Sequence, residues 1–347
     1  MNCIRLARFL ILCTGLMIGM AAGTVSAAEF RLSPGIDLIG SLGRIVTVYE
    51  DTLIDIARAH KLGYEEIRLA NPGVDTWLPG DGTDVRLPTR FILPDTQRNG
   101  LVINIAEYRM YYFFEVDGDR WVRTFPISIG RMDWATPLGS AAIVKKVENP
   151  AWYPPQSIRD EWAADGRQLD TYVPPGPDNP LGAYALRLSI PGYLIHGTNR
   201  PAGVGMRVTH GCIRMFPEDI EWLFPQVPVD TPVRIINQPF KLGWYGDDLY
   251  LEVHPPLEEG GASEEDADGE IVMRDPESES AGTHAWSITN ITERYISITR
   301  ERPALIDWEL VNSVYANRLG IPVKVGTADG RIPAEANSVP ADERPTG

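Results

Sequence analysis

The sequence predicts a mainly β protein in which a β-rich central domain of sandwich or barrel type lies between two smaller units. Residues 98–237 contain several short strand-like runs separated by turn residues, a pattern typical of such domains. Residues 44–89 combine strand-like and helical spacing, which predicts a small α+β module. Residues 281–326 show a similar mixture after an acidic stretch and predict a C-terminal α/β appendage.

Residues 1–27 have the pattern of an export signal. Arg5 and Arg8 form a basic start, an apolar run of signal-peptide length follows, and Val25-Ser26-Ala27 fits the small-x-small cleavage site. The apolar run is too short for a membrane span. We therefore expect an exported chain that begins near Ala28 and has no membrane span after signal cleavage.

The charge balance argues against two classes of partner. The formal net charge is −15, and loss of the two signal-peptide arginines takes the mature chain to −17. Nucleic acid and anionic lipid surfaces repel such an acidic chain, so we expect neither as a partner. An anionic wall polymer gains no general electrostatic attraction either, and binding to one would depend on local pockets.

The segment 44–89 has the order β-helix-helix-β. Residues 44–49 alternate in polarity, and Asp51 or Thr52 is suited to cap the first turn of the helix that follows. This order resembles a LysM module, a small fold that binds wall glycans, and the matching residues are Val46-Thr47-Val48, Asp51-Thr52-Leu53, Ile56-Ala57, Asn71-Pro72 and Val85-Arg86-Leu87-Pro88. Glu50 stands where that family usually has Gly. A packing or spacer role is the alternative to glycan binding.

The central domain begins with three strand-like runs, at residues 101–105, 109–116 and 121–129, with turn signals between them. Residues 150–180 are then rich in Pro, Trp and Tyr, with a short helix expected at 160–164. Long loops in compact domains are often lids or binding loops, so we favour such a role over a purely structural one. Helical spacing returns after Pro217.

The C-terminal hundred residues carry less information. Residues 257–280 hold ten acidic residues and one basic residue, Arg274, and this composition is typical of a solvated linker. Residues 286–299 alternate like a strand, and residues 306–319 have the spacing of an amphipathic helix. Residues 281–326 are expected to fold back onto the central domain or to contact a partner that the sequence does not identify.

The stretch from His196 to Cys212 concentrates the reactive residues of the chain. Cys212 is the only cysteine outside the signal segment, because Cys3 and Cys13 both lie within it. A single thiol in an exported chain cannot form an intramolecular disulfide. A free exported thiol kept beside histidines therefore suggests chemistry.

These residue types are those that acyl transfer requires. A thiol becomes a strong nucleophile when a base such as His196 removes its proton, and the apolar run before His196 mounts that base rigidly. Gly211 allows a sharp turn before Cys212 that directs successive backbone amides at one point, where they can hold an oxyanion. The two stretches thus supply base, nucleophile and oxyanion donors.

Two other interpretations are open at this point. An inert buried cysteine with structural histidines is one, although packing alone does not explain His-Gly beside Thr-His-Gly-Cys. A zinc site formed by His196, His210 and Cys212 is the other, and it needs a fourth ligand or a water. Neither His60 nor His254 has an evident ligand companion, so no metal and no other cofactor is expected.

The motif resembles that of a known enzyme family. His196-Gly197 followed by Thr209-His210-Gly211-Cys212-Ile213-Arg214 resembles the active-site signature of the L,D-transpeptidases, which have the YkuD-like catalytic fold. Thr209 replaces the commoner Ser and preserves the hydroxyl. The resemblance covers about residues 35–255, and four further segments are similar to periplasmic enzymes that link an outer-membrane lipoprotein to peptidoglycan: 71–75, 92–95, 175–180 and 218–220.

The resemblance implies ping-pong acyl transfer in the periplasm. Cys212 would attack the carbonyl between a diamino acid and the terminal D-Ala of a wall tetrapeptide, and an amine would then capture the acyl-enzyme. His196 matches the general base of the family, and the Gly197 carbonyl would orient its ring. The backbone amides of Gly211 and Cys212, together with His210, would stabilise the oxyanion.

The resemblance says less about which residues contact the substrate and which molecule accepts the acyl group. Arg214 would pair with a substrate carboxylate, with a framework salt bridge as the alternative, and Thr209 is expected beside the substrate. The partners implied are peptidoglycan stem peptides and, as acyl acceptor, an outer-membrane lipoprotein lysine or a second stem peptide. Water as acceptor would make the protein a cysteine hydrolase. A wall-binding scaffold that retains an unreactive motif is the remaining alternative.

Overall fold

The computed structural model describes residues 29–131, 134–257 and 287–328. The predicted signal peptide, nearly all of the predicted acidic linker and the tail beyond residue 328 lie outside the described residues. Every helix in the described part of the chain is too short or too polar to span a lipid bilayer. The prediction of a mainly β protein with a sandwich- or barrel-like central sheet is confirmed.

The N-terminal part places two helices between short strands. Its elements are β1 (Glu29–Arg31), β2 (Leu38–Gly40), β3 (Gly43–Val46), α1 (Leu53–Ala59), α2 (Tyr64–Ala70), β4 (Asp84–Leu87) and β5 (Arg90–Ile92). Strand β3 pairs antiparallel with β4, and β2 pairs antiparallel with β5. The Thr52 hydroxyl caps α1 by accepting a hydrogen bond from the Asp55 amide, so of the two predicted capping residues Thr52 is the one used.

The central part is a sheet that closes on itself. Its elements are β6 (Gly100–Asn104), β7 (Arg109–Val116), β8 (Asp119–Gly130), β9 (Gly139–Glu148), α3 (Gln156–Ala164), β10 (Tyr184–Leu188), β11 (Leu194–His196), β12 (Arg207–Thr209), β13 (Ile213–Met215), α4 (Pro217–Gln226) and β14 (Pro232–Ile236). The hydrogen-bonded order β8-β13-β11-β10-β9-β14-β6-β7 returns to β8, which makes a barrel. Alternate side chains of these strands fill its interior, among them Leu101, Ile103, Phe125, Ile127, Ile195, Ile213 and Met215.

The C-terminal part joins strands from both sides of the predicted acidic linker. Its elements are β15 (Phe240–Tyr245), β16 (Asp248–Val253), α5 (Ile288–Thr299), β17 (Leu305–Ile306), α6 (Trp308–Asn317) and β18 (Val323–Thr327). The sheet order is β15-β16-β18-β17, so the pairing of β16 with β18 joins two strands that precede the linker to two that follow it. The appendage is therefore completed by residues 240–253, which the sequence does not assign to it.

The strand predicted at residues 286–299 is wrong, because most of this segment forms helix α5. Ser287 and Asn290 form a capping box at its start. The alternation of β-branched residues imitates a strand, yet Ile296 lies on the outer side and is 56% exposed. The side chains that pack into the C-terminal core follow helical spacing instead: Ile288, Ile291, Tyr295 and Ile298.

The N-terminal part shares a hydrophobic core with the outer side of the barrel. Residues of α1, α2 and β4 pack in one cluster with residues of β6, β7 and β8, including Leu53, Ile67, Val85, Val102, Tyr111 and Val122. A buried ion pair crosses this junction: the Arg109 guanidinium of β7 donates to both oxygens of Glu66 of α2, at 2.5 and 2.7 Å. The two parts are therefore packed as one body.

We expect Arg109→Met to lower the free energy of unfolding by about 3–5 kcal/mol, because it leaves the Glu66 carboxylate buried without its partner. Urea unfolding of the mature protein measures this change. Arg44→Met is the matched control, since the Arg44–Asp84 pair is more than half exposed on both sides and such pairs contribute less than about 1 kcal/mol. Equal losses in the two variants would contradict the structural importance of the buried pair.

Candidate active site

Two neighbouring strands carry the predicted catalytic residues. Strands β11 and β13 pair in parallel, with Ile195 opposite Ile213 and His196 opposite Arg214. Ile195 and Ile213 are fully buried inside the barrel. Because side chains alternate between the two faces of a strand, His196 and Arg214 share the opposite, outer face of the sheet. Cys212 directly precedes the first residue of β13.

His196 is a buried, uncharged base. Its Nδ1 lies 2.6 Å from the Gly197 carbonyl oxygen, which can only accept, so Nδ1 carries the ring proton in this contact. Burial, and then the charge of Arg214, lower the pKa of His196 to about 4, although the carbonyls of Gly197 and Leu181 oppose the change. At neutral pH the ring is therefore free to accept a proton.

Close packing fixes the main chain beside His196. A β-carbon at Gly197 would lie 3.1 Å from a methyl group of Ile220 and 3.4 Å from the Leu181 oxygen. A β-carbon at Gly182 would approach the Thr198 nitrogen to 2.8 Å. The end of the long loop between β9 and β10 is thus pressed against the segment that orients the His196 ring.

Cys212 is half-buried, and its surroundings favour the protonated thiol. Its Sγ lies 3.7 Å from the Gly192 carbonyl oxygen. Burial raises the pKa of the thiol above its usual value, and the backbone hydrogen bond at Leu194 and the charge of Arg214 oppose this only in part. Since His196 is also uncharged, the resting pair is a thiol and an imidazole, not a thiolate and an imidazolium.

The turn before Cys212 depends on a glycine. Gly211 has φ +95°, a left-handed conformation that favours Gly, and a β-carbon there would lie 2.7 Å from the Tyr193 ring. The Thr136 hydroxyl donates to the Gly211 carbonyl at 3.0 Å. The Thr209 hydroxyl is bonded to the Cys212 carbonyl at 2.6 Å and its side chain is buried. Thr209 therefore shapes the turn, and its expected contact with the substrate stays a prediction.

Residues outside the motif hold the His210 side chain in place. Its Nε2 lies 2.8 Å from Oε2 of Glu161 on helix α3, and Trp134 packs against the ring edge-on, with centroids 5.4 Å apart. Arg131 donates to the same Oε2 at 2.8 Å. Hydrogen bonds from Arg131 and His210 lower the pKa of Glu161 to about 2, so this carboxylate is ionised at neutral pH.

Arg214 lies near the thiol without a carboxylate partner among the described residues. Its Nε is buried and has no hydrogen-bond partner there. Burial, and then the neighbouring charge of Arg200, lower the pKa of Arg214. The framework salt bridge considered from the sequence is absent from the described residues, and a half-buried guanidinium without a carboxylate partner there favours an anionic ligand.

The geometry does not favour the zinc interpretation. A metal requires ligand atoms within one coordination sphere. Within the described ranges, His196, His210 and Cys212 do not form such a group. Each histidine has a different partner instead, the Gly197 carbonyl for His196 and the Glu161 carboxylate for His210.

A second cluster of possible ligands lies away from this site, where the barrel meets the C-terminal sheet. Glu107, Glu252 and His254 bring their ligand atoms within 4.8 Å of one another. The Lys241 ammonium lies among them, 2.5 Å from Glu107 and 2.8 Å from Glu252, and supplies the positive charge. Since His254 lies 2.7 Å from Glu252, the expectation that it has no companion is wrong.

Comparison with known proteins assigns the family. A family model described as the YkuD L,D-transpeptidase catalytic domain matches residues 98–235. The probable L,D-transpeptidase YbiS of Escherichia coli (strain K12) is 36% identical over 87% of this chain and 93% of its own length. The probable L,D-transpeptidase ErfK/SrfK of the same strain is 40% identical over 74% of this chain and 83% of its own.

A solved L,D-transpeptidase from Mycobacterium smegmatis is 22% identical and covers 43% of this chain and 62% of its own, with a TM-score of 0.31. So low a score adds nothing to the assignment. The identities above 30% over most of the chain show that the chain belongs to the L,D-transpeptidase family. It is an enzyme of that class, an L,D-transpeptidase.

Sequence reasoning missed the residues that surround the motif. Glu161, Arg131 and Trp134 contact His210, and Leu181 contacts His196, although none of them lies within ten residues of its partner. One signal pointed to Glu161: it falls in the short helix predicted within the aromatic-rich stretch 150–180. Its partner was not predictable, because no local pattern connects α3 with residue 210.

We expect the rate of Cys212 alkylation by iodoacetamide to rise about tenfold per pH unit between about pH 6 and pH 8. The raised pKa of the thiol keeps the thiolate a minor species there, and its fraction grows tenfold per unit below the pKa. Intact-mass spectrometry of the mature protein measures the rate, with glutathione in the same buffers as control. A rate that levels off below pH 7 would show a preformed thiolate and contradict the uncharged pair.

Proposed function

We propose that Cys212 is the nucleophile of a peptidoglycan acyl transfer, with His196 as its general base. The single observation that carries this proposal is the register of β11 with β13, which sets His196 opposite Arg214, the residue two positions after Cys212. The uncharged imidazole and the protonated thiol are the forms that general-base catalysis requires at neutral pH.

The proposed donor is a wall tetrapeptide, cleaved between its diamino acid and the terminal D-Ala. Sγ of Cys212 attacks the carbonyl carbon while His196 takes the thiol proton. The proposed donors to the resulting oxyanion are the amides of Gly211 and Cys212, with His210 next to them in the chain, because a left-handed turn such as that at Gly211 allows successive amides to face one point. The intermediate collapses to a thioester, and the D-Ala amine leaves with the proton that His196 had accepted.

In this proposal, the positive charge of Arg214 pairs with a carboxylate of the donor peptide. The buried Nε without a partner and the absence of a carboxylate partner in the described part of the chain support a substrate carboxylate as the missing ligand. A tetrapeptide that ends in D-Ala carries a free carboxylate close to the bond that is cleaved. Arg214 is thus the residue that would select a donor with a free carboxyl end.

An amine then captures the acyl group. His196 accepts the proton of the incoming amine, and Cys212 leaves as the thiol after it takes up a proton. The proposed acceptors are a lysine of an outer-membrane lipoprotein or the side-chain amine of a second stem peptide, and both place the enzyme in the periplasm. The export signal at residues 1–27 supports that location.

We expect the mature wild-type protein, incubated with a disaccharide-tetrapeptide, to gain the mass of the substrate minus D-Ala. Cys212→Ala should gain no mass and release no D-Ala, because it has no nucleophile. Intact-protein spectra with analysis of released D-Ala measure both. Adding a lysine-ending lipoprotein peptide or more tetrapeptide then identifies the acceptor, while release of free tripeptide would identify water. Acylation of Cys212→Ala, or none of the folded, reduced wild type, would contradict the proposal.

The N-terminal part presents an exposed apolar surface that supports glycan binding by a LysM-like module. Two loops, 47–52 and 71–83, are joined by hydrogen bonds from the Thr47 amide to the Thr83 carbonyl and from the Leu53 amide to the Thr76 carbonyl. They carry large apolar side chains that are 60–81% exposed: Tyr49, Trp77 and Leu78. Such a patch marks a binding surface, and aromatic rings suit the apolar faces of sugars.

We expect the double change Tyr49→Ala and Trp77→Ala to weaken binding to purified peptidoglycan sacculi about tenfold. The assay is co-sedimentation, in a Cys212→Ala background so that capture by the active site does not contribute. Tyr245→Ala is the control, because Tyr245 is 53% exposed on the C-terminal sheet, away from these loops. Unchanged binding of the double variant would leave the packing or spacer role as the better account of this module.

A further inference from the structure

The loop between β9 and β10 contacts both histidines of the motif. Its helix α3 reaches His210 through Glu161. The last residues of the loop, Leu181 and Gly182, lie against His196 and the main chain that follows it. One loop, residues 149–183, therefore contributes to the surroundings of both rings.

The loop is held in shape by its own contacts. The Asn179 side chain is 1% exposed and donates to the Pro150 carbonyl at 2.9 Å, which ties the end of the loop to its beginning. Trp152 and Val173 pair as an isolated antiparallel bridge. Within this frame, the Glu161 carboxylate is the group by which α3 touches the residues around Cys212.

The Glu161 contact assigns the proton on the His210 ring. An ionised carboxylate only accepts hydrogen bonds, so Nε2, at 2.8 Å from Oε2, carries a proton. Arg131 also lies 3.1 Å from Nε2, but a guanidinium only donates, and its 2.8 Å bond goes to the same Oε2. Oε2 of Glu161 thus accepts hydrogen bonds from both Arg131 and His210 and holds these two side chains together.

The residues that hold the His210 ring in place lie outside the motif. Within the part of the chain that the structure describes, the ring contacts Glu161, Arg131 and Trp134, all outside residues 196–214. The Nε2 proton of His210 is used by Glu161, so the ring acts on the oxyanion site through the position of the neighbouring Gly211–Cys212 turn, and small misplacements of catalytic groups lower rates strongly.

We propose that Glu161 is a positioning residue for acyl transfer, which docks helix α3 on the active site and holds His210 with its proton on Nε2 beside the oxyanion site. This proposal rests on the proposed function of Cys212. It makes the orientation of His210 depend on the docked loop, so that the site is complete only when α3 is in place.

The test compares three variants of the mature chain: Glu161→Gln, which removes the charge, Glu161→Asp, which keeps it on a shorter side chain, and Asp165→Asn. The last is the matched control, because Asp165 ends the same helix and pairs with Arg167, not with His210. Each variant is measured for kcat and KM of acyl-enzyme formation with the disaccharide-tetrapeptide, and for thermal unfolding.

A second measurement does not require the wall substrate. Long-range proton–nitrogen NMR spectra of the histidine rings report which ring nitrogen carries the proton, and the spectrum of His210→Gln assigns the His210 signals. We expect a protonated Nε2 in the wild type and a changed ring signature in Glu161→Gln. This readout separates failure of the Glu161–His210 contact from failure of the proposed reaction.

In Glu161→Gln, kcat for acylation should fall about 10- to 100-fold while KM changes less than about threefold. Glu161→Asp should retain more of kcat than Glu161→Gln, and Asp165→Asn should stay within about twofold of the wild type. An unchanged kcat in Glu161→Gln, an equal loss in Asp165→Asn, or a change in KM alone would overturn the proposal. If the wild type forms no acyl-enzyme, the proposed function fails, and a wild-type His210 ring without a proton on Nε2 would refute the contact itself.

Discussion

The parallel pairing of β11 with β13 is the constraint on which the active site depends. It unites two stretches of chain that are separated by the 197–212 segment and aligns His196 with Arg214. The alternation of side chains then places Ile195 and Ile213 in the barrel core and His196 and Arg214 on the other face. A shift of one residue would exchange the two sets, so burial of the isoleucines enforces this register.

Burial also decides the charge state of the site. His196 is enclosed without a carboxylate partner among the described residues, and the nearby Arg214 disfavours a second positive charge, so the imidazole stays neutral. The same surroundings keep the proton on Cys212. The Gly197 carbonyl orients the ring but carries no charge that would stabilise an imidazolium. In the proposed reaction, proton transfer from the thiol would therefore accompany the attack on the substrate instead of preceding it.

The N-terminal and C-terminal parts contact the barrel through buried charged side chains as well as through apolar packing. Glu66 and Arg109 connect the N-terminal helices to β7, and the Lys241 ammonium between Glu107 and Glu252 connects the C-terminal sheet to the barrel. Removing one member of such a group leaves an unpaired charge in a dry interior, so these contacts fix the geometry even where they add little net stability. The N-terminal helices and the barrel that carries the active site accordingly share buried contacts.

Local patterns in the chain predict part of this structure. Alternation and turn residues predict the strands β6, β7 and β8, Asp51 or Thr52 marks the start of α1, and the His-Gly and Thr-His-Gly-Cys blocks identify the family and predict the reactive residues. Contacts between residues far apart in the chain appear only in the folded structure. Glu161 joins His210 across 49 positions, Lys241 joins Glu107 across 134, and α5 is a helix because a core formed partly by β15 and β16 buries one of its faces. The physical reason is that hydrogen-bond and packing partners far apart in the chain leave no periodic trace in either segment, whereas strand, turn and cap preferences act between neighbours.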